Sequence, residues 1–153
     1  MKIRTILLHG RKKVIKDLYN TNILRLSSDI PRLGKLDKPD SSSTVVSKLC
    51  GSKITVYLNM EDNIVNDFTH EIKACSLGKA ASSVMARNII GSDSKELLEI
   101  KKEMYNMLKE DGAPPSGKWD DLKYFEPVKD FKGRHASVLL VFDAVENCIN
   151  ELK

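Results

Sequence analysis

Lys53-Ile54-Thr55-Val56-Tyr57-Leu58-Asn59 decides the fold class. Ile54, Val56 and Leu58 alternate with Lys53, Thr55 and Tyr57, and a period of two with β-branching is the signature of a half-buried strand. Glu61-Asp62-Asn63 supplies turn chemistry, so Ile64 to Ala74 reads as the returning strand. Residues around Thr44 to Val46 read as a strand that precedes both. An isolated hairpin is marginal in water, whereas three strands on a helical layer can be stable.

The flanking segments supply that layer. Leu18 to Leu26 reads as a short helix, with Leu18, Ile23 and Leu26 as core contacts. Asp29-Ile30-Pro31 ends it, because the residue before proline avoids the helical region. The stretch from Arg32 to Ser47 contains Gly34, Pro39 and Ser41-Ser42-Ser43 and reads as an irregular, exposed connection into the first strand. Leu77 to Ile90 is predicted helical, with Gly91 as its C-cap. Lys95 to Leu108 follows, capped by Asp93 or Ser94, with Glu96 placed for a capping box.

Asp111 to Lys118 reads as a loop, Trp119 to Phe125 as a short helix ended by Pro127, and Arg134 to Leu152 as the last helix. In that helix Val138, Val141, Phe142, Val145, Ile149 and Leu152 recur at spacings of three and four, which gives a broad core-facing stripe. The expected fold is α+β, a small three-stranded antiparallel sheet with helices packed on one side.

A chain of 153 residues can bury one core, and its 41% apolar content is that of a globular protein. The longest apolar runs, such as Val138 to Phe142, are far too short to cross a bilayer, so no membrane association is expected. The net charge of +4 is concentrated at one end. Lys2, Arg4, Arg11, Lys12, Lys13 and Lys16 precede the first acidic residue, Asp17, and of 25 basic residues this leaves 19 against 21 acidic ones. A nucleic-acid reader carries its charge on the folded face that docks, often with aromatic platforms. Aromatics here are only 6%, and no nucleic-acid role is expected. Residues 1–17 therefore read as a flexible basic extension, and residues 18–153 as a single domain. The extension shares its basic, acid-free profile with transit peptides but lacks serine.

Three residues carry the candidate chemistry: Cys50 in Leu49-Cys50-Gly51-Ser52, Cys75 in Lys73-Ala74-Cys75-Ser76-Leu77-Gly78, and His135 in Gly133-Arg134-His135-Ala136-Ser137. Cys75 stands where a strand gives way to a helix, and a helix N-terminus favours thiolate, the form that binds soft metals. Cys50 precedes a glycine, whose missing side chain lets an inorganic group approach the backbone. His135 opens the last helix, where imidazole can coordinate or donate a hydrogen bond. Free cysteine is also a common buried apolar residue, the reading adopted for Cys148, which lies in the helical stripe pattern. His9 and His70 have no companion residues and read as solvent-facing or incidental. An odd number of cysteines makes a poor disulfide framework, and a reducing cytosol would discourage a Cys50–Cys75 bridge.

The segments Leu49-Cys50-Gly51-Ser52-Lys53-Ile54-Thr55-Val56, Lys73 to Met85 and Arg134-His135-Ala136-Ser137 carry a resemblance. In their order and separation, from about Tyr19 to Cys148, the chain resembles the NifU/IscU-type iron–sulfur cluster assembly scaffolds, especially the longer SufU-like members. Glu103 to Asp130 resembles the insertion of those longer members. The resemblance implies a cytoplasmic scaffold that binds iron or a labile iron–sulfur cluster through Cys50 and Cys75, with His135 as a third ligand or a proton-handling neighbour and zinc as another acceptable metal. No Ser–His–Asp arrangement, phosphate loop or paired-carboxylate site is visible, so no enzymatic activity is expected. It also implies a cysteine desulfurase and cluster-recipient proteins as partners, and a homodimer would join two incomplete ligand sets. The family pattern has three cysteine ligands and an aspartate soon after the first. Here Ser52 takes the aspartate's place and Ala136 that of the third cysteine. Alternative roles are a zinc-binding or sulfur-relay accessory protein, or a metal-free interaction module of the assembly machinery.

Overall fold

The computed structural model describes residues 14–49 and 51–153. Ser41–Val46 (β1), Lys53–Glu61 (β2) and Ile64–Lys73 (β3) form an antiparallel sheet in the order β1-β2-β3. The β2–β3 hairpin closes through Asp62 and Asn63, whose φ angles of 52° and 65° fit the left-handed geometry of a two-residue hairpin turn. Ile54, Val56 and Leu58 are buried on the inner face and pair with Ile72, His70 and Phe68 of β3.

Among the described residues are four α-helices, Thr21–Ser28 (α1), Ser76–Asn88 (α2), Ser94–Lys109 (α3) and His135–Glu151 (α4), of which α2 and α4 make the main contacts with the sheet. Helix α4 lies on β1 and β2 and packs against both α2 and α3, while α1 packs on α2. The expected α+β fold, a three-stranded antiparallel sheet with helices on one side, is the fold observed.

Several boundaries differ from expectation. The first helix starts at Thr21, because the Asn20 side chain accepts a hydrogen bond from the Ile23 amide at 3.0 Å and caps it there. Leu18 belongs to a preceding 3-10 turn, Ile15–Leu18, and is buried with Ile23 and Leu26. Residues 1–13 of the expected basic extension lie outside the described residues, as does His9. The serine run Ser41-Ser42-Ser43 is strand rather than loop, paired with Leu58, Tyr57 and Val56. Leu152 is 40% exposed and ends the α4 stripe one turn earlier than its spacing suggested. Gly91 does not cap α2, whose C-cap is Ile89; with φ of 87° it instead turns the chain so that its amide donates to the Val65 carbonyl of β3.

Gly117–Asp130 is not a short helix stopped by Pro127 but a run of 3-10 turns that continues through it. Trp119, Leu122, Phe125 and Val128 are all buried, at the three-residue spacing of a 3-10 helix. Glu96 fastens this segment to the start of α3. Its carboxylate accepts from the Trp119 indole at 2.8 Å and pairs with Lys118 at 2.9 Å. The Asp93 carboxylate meanwhile caps the Glu96 amide at 2.8 Å, so the expected capping box is half formed.

His70 overturns its expected exposure. It is fully buried on the inner face, and its Nε2–H donates to the Pro31 carbonyl at 2.9 Å. Two backbone bonds, His70 amide to Arg32 carbonyl at 3.1 Å and Gly34 amide to His70 carbonyl at 2.9 Å, complete a clasp between β3 and the α1–β1 connection. Burial lowers the His70 pKa from its ordinary 6.5, against the opposing effect of the Pro31 bond. The unfolded chain therefore binds a proton more readily, so this group removes stability as pH falls below about 6.5. We expect the free energy of unfolding to fall between about pH 7.5 and 5.5 by roughly 1 kcal/mol more in the wild type than in His70→Gln, whose amide can still donate to Pro31. Equal slopes would remove His70 as a source of the pH dependence.

Candidate metal centre

Of the three residues picked out by the sequence, Cys75 and His135 lie at the starts of two helices, and the strand ends beside Cys75 can be followed through the sheet register. The register pairs Val46 with Lys53 and Lys53 with Lys73, so the end of β1, the start of β2 and the end of β3 are neighbours. Helix α2 begins directly after β3. A Cβ built on Gly78, in its first turn, would lie 2.8 Å from the Ala74 Cβ and 3.3 Å from the Ser137 carbonyl oxygen. The first turn of α2 therefore touches the first turn of α4, and only glycine permits that approach.

Cys75 is the N-cap of α2, with extended backbone (φ −71°, ψ 173°), and its carbonyl accepts from the Lys79 amide at 2.9 Å. Its thiol makes no capping hydrogen bond and is half-buried, which leaves the sulfur lone pairs available. Cys50 lies outside the described residues. Its neighbours Leu49 and Gly51 lie in the β1–β2 turn, which the Ser47 amide closes on the Ser52 carbonyl and the Gly51 amide on the Ser47 carbonyl, each at 2.8 Å. Gly51 has φ of 71°, a left-handed conformation that explains the glycine.

His135 is the first residue of α4 and is 4% exposed. Its Nε2 lies 3.0 Å from the Val128 carbonyl and 3.1 Å from that of Lys129. Carbonyls only accept, so Nε2 carries a hydrogen, and in the tautomer this selects the ring lone pair lies on Nδ1. A metal-binding histidine typically donates its second ring nitrogen to such an oxygen, which fixes tautomer and orientation. Sequence reasoning could not see this partner, because it is the backbone end of the 3-10 segment. Ala136 follows with no donor atom. Among the described residues no group of three or more His, Cys, Asp or Glu is arranged to hold an ion. Two donors of complementary softness, the Cys75 sulfur and the His135 nitrogen, are nevertheless chemically suited to zinc or iron.

Cys148 has the structural role its spacing suggested. It is fully buried, its thiol donates weakly to the Val56 carbonyl at 3.8 Å, and burial pushes its pKa up to about 11. Alkylating reagents should therefore modify Cys75 at least roughly tenfold faster than Cys148 in the metal-free protein. Peptide mapping after timed iodoacetamide exposure reads the two rates, and equal rates would contradict the difference in access.

Comparison with known proteins places these features in context. The family model described as NifU-like N terminal domain matches residues 18–123. The iron-sulfur cluster assembly scaffold protein IscU of Thermotoga maritima is 25% identical over 139 residues, 91% of this chain and 97% of that one. A protein of Bacillus subtilis described as the zinc-dependent sulfurtransferase SufU is 27% identical over 97 residues, 63% of this chain and 66% of its own length. Among solved structures, a nitrogen-fixing NifU-like protein (N-terminal) from Brucella abortus superposes with a TM-score of 0.88 at 56% identity, covering 90% of this chain and 96% of that one. The SUF-system scaffold of Fervidobacterium islandicum AW-1 shares the fold, with a TM-score of 0.82 at 23% identity over 89% of this chain and 99% of that one. No helix among the described residues is long and apolar enough to cross a membrane.

Proposed function

Because the chain belongs to the NifU-like N-terminal domain family, we propose that it is an iron–sulfur cluster assembly scaffold whose cargo is held by Cys50, Cys75 and His135. The observation that carries this reading is the contact of Gly78 with Ser137, which joins the helix starts bearing Cys75 and His135. The sulfur of Cys75 supplies a soft donor. The Nδ1 of His135, freed by the bonds of Nε2 to Val128 and Lys129, supplies a nitrogen. Cys50 completes the set from the β1–β2 turn. Incomplete ligation suits a protein that must release what it binds, and a second copy of the chain can contribute further donors. Residues 18–153 act as one unit in this role.

The scaffold is read as non-enzymatic and cytoplasmic, with a cysteine desulfurase as sulfur donor and recipient proteins as acceptors. The absence of a donor at Ala136 means that any incoming sulfur must be accepted by Cys50 or Cys75. A second reading, a zinc-binding or sulfur-relay protein, is favoured by the likeness to the Bacillus subtilis sulfurtransferase. The S and N donors would also hold zinc in a site with an open position. Anaerobic reconstitution with ferrous iron and sulfide discriminates the two. Visible charge-transfer absorption, with iron and sulfide both retained through desalting, is the expected result. Zinc binding with no retained iron or sulfide would reject the scaffold role.

A further inference from the structure

The two edges of the sheet are finished differently. Along β3 the His70 amide donates to the Arg32 carbonyl at 3.1 Å and the Gly34 amide to the His70 carbonyl at 2.9 Å, so the α1–β1 connection covers that edge. β1 forms the other edge. Just past its last pair with β2, the Ser47 amide donates to the Ser52 carbonyl at 2.8 Å. Antiparallel bonding alternates along a strand, so Val45, Ser43 and Ser41 also direct their backbone groups to β2. Ser42, Thr44 and Val46 direct theirs away from the sheet. All three are exposed, and among the described residues none of them makes a backbone hydrogen bond in a turn, loop or cap.

Proteins usually blunt such an edge with a charge, a proline, a bulge or a covering segment. Ser41–Val46 contains no charged residue and no proline, and it pairs with β2 without a register shift. Its two ends differ in sign. Exposed Asp40 precedes the strand, exposed Lys48 follows it, and Lys53 lies opposite Val46. Further out at the Asp40 end, Asp37 is offset by Lys38; Leu152, which shares a hollow with Asp40, lies between Glu151 and Lys153. Glu71 is level with Thr44 but two strands in, where it accepts from the Tyr57 hydroxyl at 2.6 Å. Over the inner face, Asn147 of α4 donates to the Ser43 hydroxyl at 3.2 Å.

We infer that the β1 edge pairs with the β1 edge of a second copy of the chain, antiparallel about a two-fold axis at Thr44. In that register Ser42 meets the second copy's Val46 and Thr44 meets its counterpart, which engages every outward amide and carbonyl of the strand in about six hydrogen bonds. The Asp40 end of each strand then lies against the Lys48 end of the other. A slip by two residues leaves part of the strand unpaired, and a parallel pairing sets like charges together. An unrelated extended segment would gain the same main-chain bonds but find no side-chain pocket along Ser42-Ser43-Thr44 to select it. The inference goes beyond the scaffold reading, needs no bound metal, and concerns a contact separate from the candidate ligands.

Sedimentation velocity of the full-length, metal-free chain is the test, run from about 10 µM to about 1 mM to suit a small interface. Reversible dimerisation is expected, with exchange at the Ser42, Thr44 and Val46 amides slowing as the dimer fills. Thr44→Pro removes the outward N–H and leaves the β2 ladder intact, because an edge strand tolerates proline where its amide faces solvent. Two bonds per dimer are lost, so dimerisation should weaken roughly tenfold or more. Thr44→Lys, which sets two lysines face to face, should weaken it in the same way and guards against misfolding of the proline variant. Thr44→Val keeps the amide and should stay within about threefold of the wild type. A monomer at every concentration, a dimer that both Thr44→Pro and Thr44→Lys leave intact, or equal losses in Thr44→Val and Thr44→Pro would overturn the inference. So would slow exchange of the three amides in the dilute chain that is abolished by deleting residues 1–13, which would assign the edge to that extension.

Discussion

Gly78→Val is expected to lower the free energy of unfolding by about 3 kcal/mol, the upper part of the usual range for overpacking. Even the first carbon of a new side chain would meet the Ala74 Cβ at 2.8 Å and the Ser137 carbonyl oxygen at 3.3 Å. Neither neighbour can yield by changing rotamer, since one is a methyl group fixed to the backbone and the other is helix backbone itself. The helix starts must part instead, and valine's further methyl groups deepen the conflict. Gly78→Ala should fall between wild type and valine. Urea denaturation measures the series, and a loss below about 1 kcal/mol for valine would mean that α2 and α4 are not in close contact there. Under the proposed function, in which Cys75 and His135 share the cargo, the variant should lose cargo retention together with stability.

Cys75→Ser should reduce the iron and sulfide retained after reconstitution to below roughly a tenth of the wild-type level, since an alcohol is a far poorer ligand than a thiolate for iron or zinc. Cys148→Ser provides the contrast. Its thiol lies 3.8 Å from the Val56 carbonyl, an acceptor that a serine hydroxyl can also use, and it lies in the core with a pKa raised to about 11. Retention in that variant should stay within about a factor of two of the wild type, with a modest loss of stability from burying a hydroxyl. Similar losses of iron in both variants would show that the effect of Cys75 is general to thiol removal and not ligation.

The legible parts of the fold are those in which one face is buried at a regular period. Ile54, Val56 and Leu58 announce β2, and the α4 stripe from Val138 to Ile149 announces its helix. Ser41-Ser42-Ser43 carries no apolar alternation; its strand conformation comes from backbone pairing with β2, which composition does not encode. The Gly117–Asp130 segment was obscured by its period, because buried residues every three positions match neither an α-helix nor a strand. His70 was readable in principle. It lies in phase with Phe68 and Ile72, so the alternation that defines β3 already assigns it to the inner face.

Cys75 was recognisable because it adjoins both a strand end and a helix start. The readiness of His135 was not, since the oxygens that fix its tautomer belong to the main chain of Val128 and Lys129.

The central claim is that two sulfurs and one imidazole nitrogen from distant segments meet at a single ion. X-ray absorption spectroscopy of the full-length chain loaded with one equivalent of zinc addresses it most directly. The expected first shell has two sulfurs near about 2.3 Å and at least one nitrogen near about 2.0–2.1 Å. One of the sulfurs should be lost in Cys75→Ser. A shell of oxygen and nitrogen alone, or one unchanged by Cys75→Ser, would contradict the account.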